Sequence, residues 1–151
     1  MVRNSDAVGV TATRNGITAD QSVRANSLLG FWRENHLQFR HGDCIGGDAD
    51  LARIARRHGY YVVGHPPVVQ QWRAFVENDH TLEPLPFLDR NRRIVNASAI
   101  LLACPDGPDY PRSGTWMTVR YARSLRVPTV VIMPSGECLF DMAYRRTVAT
   151  P

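Results

Sequence analysis

Two loops in this chain combine glycine, hydroxyl and charged residues in the way a small-anion or nucleotide site requires. The first, His41-Gly42-Asp43-Cys44-Ile45-Gly46-Gly47-Asp48-Ala49-Asp50, joins a β-prone run to a helical one. Its glycines let a ligand approach backbone N–H groups at the positive end of a helix. Its carboxylates accept hydrogen bonds and repel phosphate, so ribose hydroxyls or a base edge suit Asp43 and Asp50 better. The loop matches neither GxGxxG nor a Walker A sequence, and its plainer reading is a Gly46-Gly47 turn with Asp48 as helix cap. The second loop, Pro111-Arg112-Ser113-Gly114-Thr115-Trp116, offers amides, two hydroxyls and a guanidinium before a helix. Ser113 and Thr115 there are anion-binding candidates, with simple capping as the alternative. Arg90-Asn91-Arg92-Arg93 can send one guanidinium to the same phosphate in bidentate geometry, and a solvated basic face accounts for the others. Trp116, beside the Ser113-Gly114-Thr115 turn, is a candidate contact for ligand or partner subunit.

Other chemistries are excluded or disfavoured by residue type. All 18 basic residues among the 151 are arginine, which removes Schiff-base chemistry, a lysine general base and a Walker A lysine. The three cysteines, Cys44, Cys104 and Cys138, are too few and too dispersed for a disulfide framework or a CxxC site, so a reducing cytoplasm is the expected compartment. His41, Asp43 and Cys44 are adjacent on one run, where neighbours point oppositely, so no metal and no cofactor is expected. The net charge of +4 is compatible with a phosphate-bearing partner, but the arginines are scattered and interrupted by Asp43, Asp48 and Asp50, so nucleic acid is not the expected one. No apolar stretch approaches the roughly 20 residues that span a bilayer, and the N-terminus lacks a signal-peptide core; no membrane association is expected.

The elements that must position these loops follow from periodicity. Short β-prone runs at 8–13, 37–41, 60–63, 99–103 and 128–133 alternate with helical segments at 20–36, 48–58, 87–96 and 114–125. In the first helix Val23, Leu28, Phe31 and Trp32 fall at approximately helical spacing; in the second, Leu51, Ile54 and Ala55 point inward and Arg53, Arg56 and Arg57 outward. His65-Pro66-Pro67 takes the chain out of the sheet, because proline lacks a ladder donor. Residues 68–86 form an irregular excursion and candidate lid, with a short helix expected around 70–77. The pattern predicts one α/β domain over residues 1–151, a Rossmann-like three-layer sandwich around a five-stranded, mainly parallel sheet. For a chain of this mass about 69% of the unfolded surface becomes buried, enough for a core without disulfides or metal. In such sheets ligands sit outside the carboxyl ends of the strands where strand order reverses, which selects the loops beginning at Thr13-Arg14, Gly42, Gly64, Cys104 and Pro134.

The order of these motifs is more specific than any one of them. Val10-Thr11-Ala12-Thr13-Arg14, His41-Gly42-Asp43-Cys44 with Gly46-Gly47-Asp48-Ala49, His65-Pro66-Pro67, Arg90-Asn91-Arg92 and Ser113-Gly114-Thr115-Trp116 together resemble the SLOG superfamily of Rossmann-like nucleotide-binding proteins, over residues 8–136. That superfamily includes the Lonely Guy phosphoribohydrolases, the DNA-processing protein A group and sensor domains for cyclic ADP-ribose-like signals; the chain looks most like its small stand-alone bacterial and phage members. Against the P-G-G-x-G-T-x-x-E motif of the phosphoribohydrolases, Gly114-Thr115 align, Pro111-Arg112 occupy the glycine pair and Thr118 occupies the glutamate. An upstream arginine of those enzymes corresponds to Arg90. Ala12-Thr13-Arg14 stands where the DNA-processing relatives carry G-S-R, adding a methyl where backbone approach is closest.

The resemblance therefore implies a protein that binds a nucleotide-derived small molecule, such as an ADP-ribose-like or cyclic nucleotide signal, for sensing or sequestration, and that assembles as a homodimer or larger. The candidate ligand-binding residues are Thr11, Thr13, Arg14, Gly42, Asp43, Gly46, Gly47, Asp48, His65, Pro66, Arg90, Asn91, Arg112, Ser113, Gly114, Thr115 and Trp116. The alternative is an N-glycosidic hydrolase of nucleoside monophosphates in which Asp43, Asp48 or Asp50 replaces the missing glutamate. Thr118 cannot supply a carboxylate's charge or proton chemistry, which disfavours that activity. The helical stretch from Trp116 to Leu125 is the apolar surface expected to support assembly.

Overall fold

The computed structural model describes residues 6–147. Strands β1 (Ala7–Ala12), β2 (Gln38–His41), β3 (Tyr61–Gly64), β4 (His80–Thr81), β5 (Ile100–Cys104), β6 (Thr129–Ile132) and β7 (Cys138–Phe140) form one sheet in the order β4-β3-β2-β1-β5-β6-β7. All neighbours run parallel except the antiparallel β6–β7 pair. Helices α1 (Ala19–Trp32), α2 (Gly47–Arg57), α3 (Phe87–Asn96), α4 (Gly114–Ser124) and α5 (Met142–Thr147) complete the fold. Among the described residues no helix is long and apolar enough to cross a membrane.

Strand alternation produces the three layers. Val8 and Val10 of β1 and Ile100, Leu102 and Cys104 of β5 pack with Leu28, Leu29 and Trp32 of α1 and Leu51, Ile54 and Ala55 of α2. The intervening residues face the other way: Leu101 packs with Val95 of α3 and Ala122 of α4, and Ala103 with Trp116 and Val119 of α4. Helices thus cover both faces, and β1 and β5 lie side by side at the centre.

The sheet has seven strands rather than the five expected. The two additions are three residues long or less, too short to show alternation, and each is made by its context. His80–Thr81 pairs with β3 inside the segment read as an excursion, and Cys138–Phe140 returns on β6 through a turn closed by the Met133 N–H to the Glu137 carbonyl and the Gly136 N–H to the Met133 carbonyl. The helix expected around 70–77 is only a single 3-10 turn, Gln70–Trp72. Beyond it Phe75 takes a positive φ of 55°, and the Val76 amide donates to the Asp43 carboxylate instead of to a helical carbonyl. In α1, Val23 and Phe31 are exposed and Gln21 is buried, a correction to the apolar face read from spacing. Thr18 and Gln21 form a capping box there, and the Gln21 amide donates to the carbonyls of Pro105 and Ile132, tying α1 to the ends of β5 and β6. Helix α4 buries Trp116, Val119 and Ala122 against the sheet and leaves Met117 exposed, a smaller apolar surplus than its sequence suggests.

Candidate ligand site

Strand order reverses between β1 and β5: β1 leads to α1 on one face of the sheet, and β5 leads to α4 on the other. Outside their carboxyl ends lies a cavity of about 450 Å³. Its floor is the end of β1, Thr11 to Asn15, and its walls come from the loop after β2, from the N-terminal half of α3, and from the loop entering α4.

At the α4 wall the geometry is that of an anion seat. Ser113 caps the helix, its hydroxyl accepting from the Trp116 amide at 3.1 Å, and its carbonyl takes the Met117 amide. The amides of Gly114 and Thr115 have no acceptor among the described residues, as expected of a first helical turn. Arg112 lines the same wall, is exposed, and makes no ion pair or hydrogen bond within the described residues. Across the cavity the Arg14 guanidinium is stacked between Trp72 and Phe87, 4.4 and 5.0 Å from their ring centroids. Asn15 and Asp106 bridge the two strand-exit loops at 3.3 Å.

Arg90 lines the cavity but is 5% exposed. Its Nη1 donates to the carbonyls of Gly42 and, at 3.2 Å, His65; its Nε donates to Asn91 Oδ1 at 2.7 Å; and both terminal nitrogens contact Cys44 Sγ at 3.5 Å. It is a clamp that joins α3 to the loops after β2 and β3 as well as a cation beside the site. Asp48 lies buried near it, and its carboxylate accepts from the Cys44 amide at 3.4 Å. Burial pushes the Asp48 carboxyl up, with the Arg90 charge foremost among the opposing influences and the Cys44 and Gly42 amides adding to it. Burial, with Asp48 adding to it, also pushes the Cys44 thiol up against the pull of Arg90. Gly42 is required here, because a Cβ on it would collide with the Arg90 guanidinium and Asp48.

Of the residues singled out from sequence, Thr11, Thr13, Arg14, Gly42, Asp48, Arg90, Asn91, Arg112, Ser113, Gly114 and Thr115 border this cavity. Asp43, Gly46, Gly47, His65, Pro66 and Trp116 are not on its wall. Asp43 is fully buried and pairs with Arg73 at 2.9 Å while accepting from Val76, so it anchors the 70–76 segment. Gly46 and Gly47 lie under Arg14 and Thr13, with the Gly47 amide donating to the Thr13 carbonyl. His65 offers Arg90 its carbonyl, Pro66 offers Leu85 its carbonyl, and the Trp116 indole donates to the Gly107 carbonyl. Thr118 turns its hydroxyl back to the Gly114 carbonyl. Cys44, Phe87 and Tyr110 also border the cavity and were not singled out as ligand-binding; only their neighbours in sequence signalled them. Among the described residues no three of His, Cys, Asp and Glu converge as metal ligands would.

Two buried histidines support the loops in neutral form. The Asp43 amide donates to His41 Nδ1, so His41 Nε2 carries the proton and donates to Asn78 Oδ1 at 2.7 Å. An arginine can only donate, so Arg40 Nη1 fixes His65 Nε2 as the acceptor. Burial, followed by the Arg40 and other positive charges, drives the His65 pKa down to about 3. The unfolded chain protonates this histidine near pH 6.5, so between those values the unfolded state binds the extra proton and stability falls as pH falls, by at most about 1.4 kcal/mol per pH unit. Urea denaturation of the protein and of His65→Gln should show the variant's stability falling less steeply between pH 6.5 and 4; equal slopes would mean that His65 is not held neutral.

No protein-family model and no curated protein matches the sequence. Among solved structures, the chain is similar to the molybdenum cofactor binding protein of Rippkaea orientalis, with a TM-score of 0.66 and 19% identity over 88% of this chain and 78% of that one. It is also similar to the molybdenum cofactor carrier protein of Chlamydomonas reinhardtii, with a TM-score of 0.61 and 22% identity over 86% and 76%. DNA processing protein A of Helicobacter pylori, a single-stranded DNA binder, follows with 0.59 and 18% over 85% and 65%. The chain shares the mostly parallel, Rossmann-like α/β fold of these proteins.

Proposed function

We propose that the protein binds a small, phosphate-bearing, nucleotide-like molecule in the cavity between β1 and β5, for sensing or sequestration. One observation carries the reading: the amides of Gly114 and Thr115 and the arginines Arg112 and Arg14 line the same cavity, the amides without an acceptor and the arginines without an ion pair among the described residues. Helix-terminal amides and guanidinium groups together favour phosphate over a neutral ligand. Asn15, Asn91, Thr11 and Asp48 supply donors and acceptors for a ribose or base, as in an ADP-ribose-like molecule. Two proteins of this fold bind or carry the molybdenum cofactor, which supports a small ligand. A single strand of nucleic acid fits less well, because Trp72 and Phe87, two rings on which bases could stack, are already covered by Arg14. Mass spectrometry of the small molecules released when the purified protein is denatured tests the reading. A phosphate-bearing compound in near-stoichiometric amount is the expected result, and a stoichiometric phosphate-free compound would overturn it.

Asp48 favours a second reading, an N-glycosidic hydrolase. A buried carboxyl with a raised pKa on the cavity wall is suited to proton transfer. Release of free base from nucleoside monophosphates, lost in Asp48→Asn, would establish it; absence of release by the ligand-bound protein leaves binding as the function.

A further inference from the structure

A second, almost wholly apolar groove of about 160 Å³ runs between α3 and α4. It is bordered by Leu88, Met117, Thr118 and Tyr121, and it shares Phe87, Asn91 and Gly114 with the cavity. Those three shared residues form the sill between the two compartments. Gly114 leaves the sill low, since even a Cβ there would meet nothing within 4 Å. At the groove Arg92 stacks on the Tyr121 ring, 5.4 Å from its centroid. Leu88 and Met117 are 48% and 42% exposed, although a helix interface of this kind ordinarily turns such side chains inward.

We propose that this groove is a second subsite of the same ligand, taking a flat apolar group of one or two rings that crosses the Gly114 sill from a phosphate seated at the α4 N-terminus. The proposal rests on the phosphate reading above. Continuity selects the occupant: the groove adjoins, through Phe87, Asn91 and Gly114, a polar cavity lined by Arg14 and Arg112, so a ligand that reaches both carries an anion beside its apolar group. The ligand class is therefore a phosphate ester with a planar apolar substituent, the phosphate supplying charge and the substituent burying Leu88, Met117 and the Phe87 edge.

Calorimetry with inorganic phosphate and with 1-naphthyl phosphate tests this on the protein and on Met117→Gln and Leu88→Gln, exposed positions that line only the groove. The protein should bind naphthyl phosphate at least tenfold tighter than phosphate. Each variant should lose most of that gain while its phosphate affinity stays within about twofold, the expectation for a change remote from the anion seat. A gain that persists in both variants, or no gain in the parent protein, overturns the subsite and leaves phosphate binding standing. Failure of the parent protein to bind either compound overturns the phosphate reading and the subsite with it. A dimer that dissociates in Met117→Gln without change in naphthyl phosphate affinity assigns the groove to a second copy of the chain and overturns the proposal.

Discussion

Arg90→Ala should destabilise the protein by about 3–5 kcal/mol, the range for removing one partner of a buried charged network. The guanidinium satisfies the Gly42 and His65 carbonyls from the ends of β2 and β3, and it offsets the Asp48 carboxylate. Without it those carbonyls lose their shared donor in a water-poor setting, and Asp48 keeps only the Cys44 and Gly42 backbone amides. Affinity for a nucleotide should fall as well, by about 1.5–3 kcal/mol for a charged hydrogen bond, since the same group borders the cavity. Arg90→Lys should not restore stability, because one ammonium cannot span Gly42, His65 and Asn91 as the planar fork does. Arg57→Ala, on the outer face of α2, should stay within about 0.5 kcal/mol of the parent. Urea denaturation followed by circular dichroism measures all three, and an Arg90→Ala midpoint equal to that of Arg57→Ala would remove Arg90 from its clamping role.

Gly46→Ala should cost roughly 3 kcal/mol or more, from a strained φ together with a steric clash. Gly46 has φ +92°, and a Cβ on it would stand 2.1 Å from the Arg14 carbonyl oxygen. That oxygen is backbone at the end of β1, so relief requires moving residues 13–15, which form the cavity floor. Ligand affinity should therefore fall with stability. Gly114→Ala is the contrast for stability: the residue is in the first turn of α4 and its Cβ direction is open, so melting temperature should hold or rise slightly. Similar thermal shifts in both alanine variants would show that the Gly46 turn is not held against β1.

The parallel core and the loops around the switch point were legible because each rests on a local signal. β1 and β5 are short apolar runs buried on both faces, and glycine or hydroxyl clusters mark where each leaves the sheet. What lay beyond reading was decided by partners distant in sequence. Asp43 looks like a ligand group in the chain, yet Arg73, 30 residues later, claims its carboxylate. His65 and Trp116 lie beside the site in sequence, but their side chains turn away from the cavity wall. Phe87 reaches the wall only because α3 crosses from the sheet edge to its centre, where Arg90 of the same helix meets Cys44 from the loop after β2. The two short strands exist through pairing alone, so no composition or period announces them.

On the proposed reading, a phosphate is bound at the α4 N-terminus by the Gly114 and Thr115 amides and by Arg112. Isothermal titration of AMP and of ADP-ribose into the protein and into Arg112→Ala tests it most directly. Arg112 makes no hydrogen bond within the described residues, so its removal leaves the fold intact. The predicted result is saturable binding of at least one of the two ligands by the parent protein, weakened about tenfold or more in the variant, as for loss of one charged hydrogen bond. Binding of equal strength in both proteins, or no binding of either ligand by the parent protein, would contradict it.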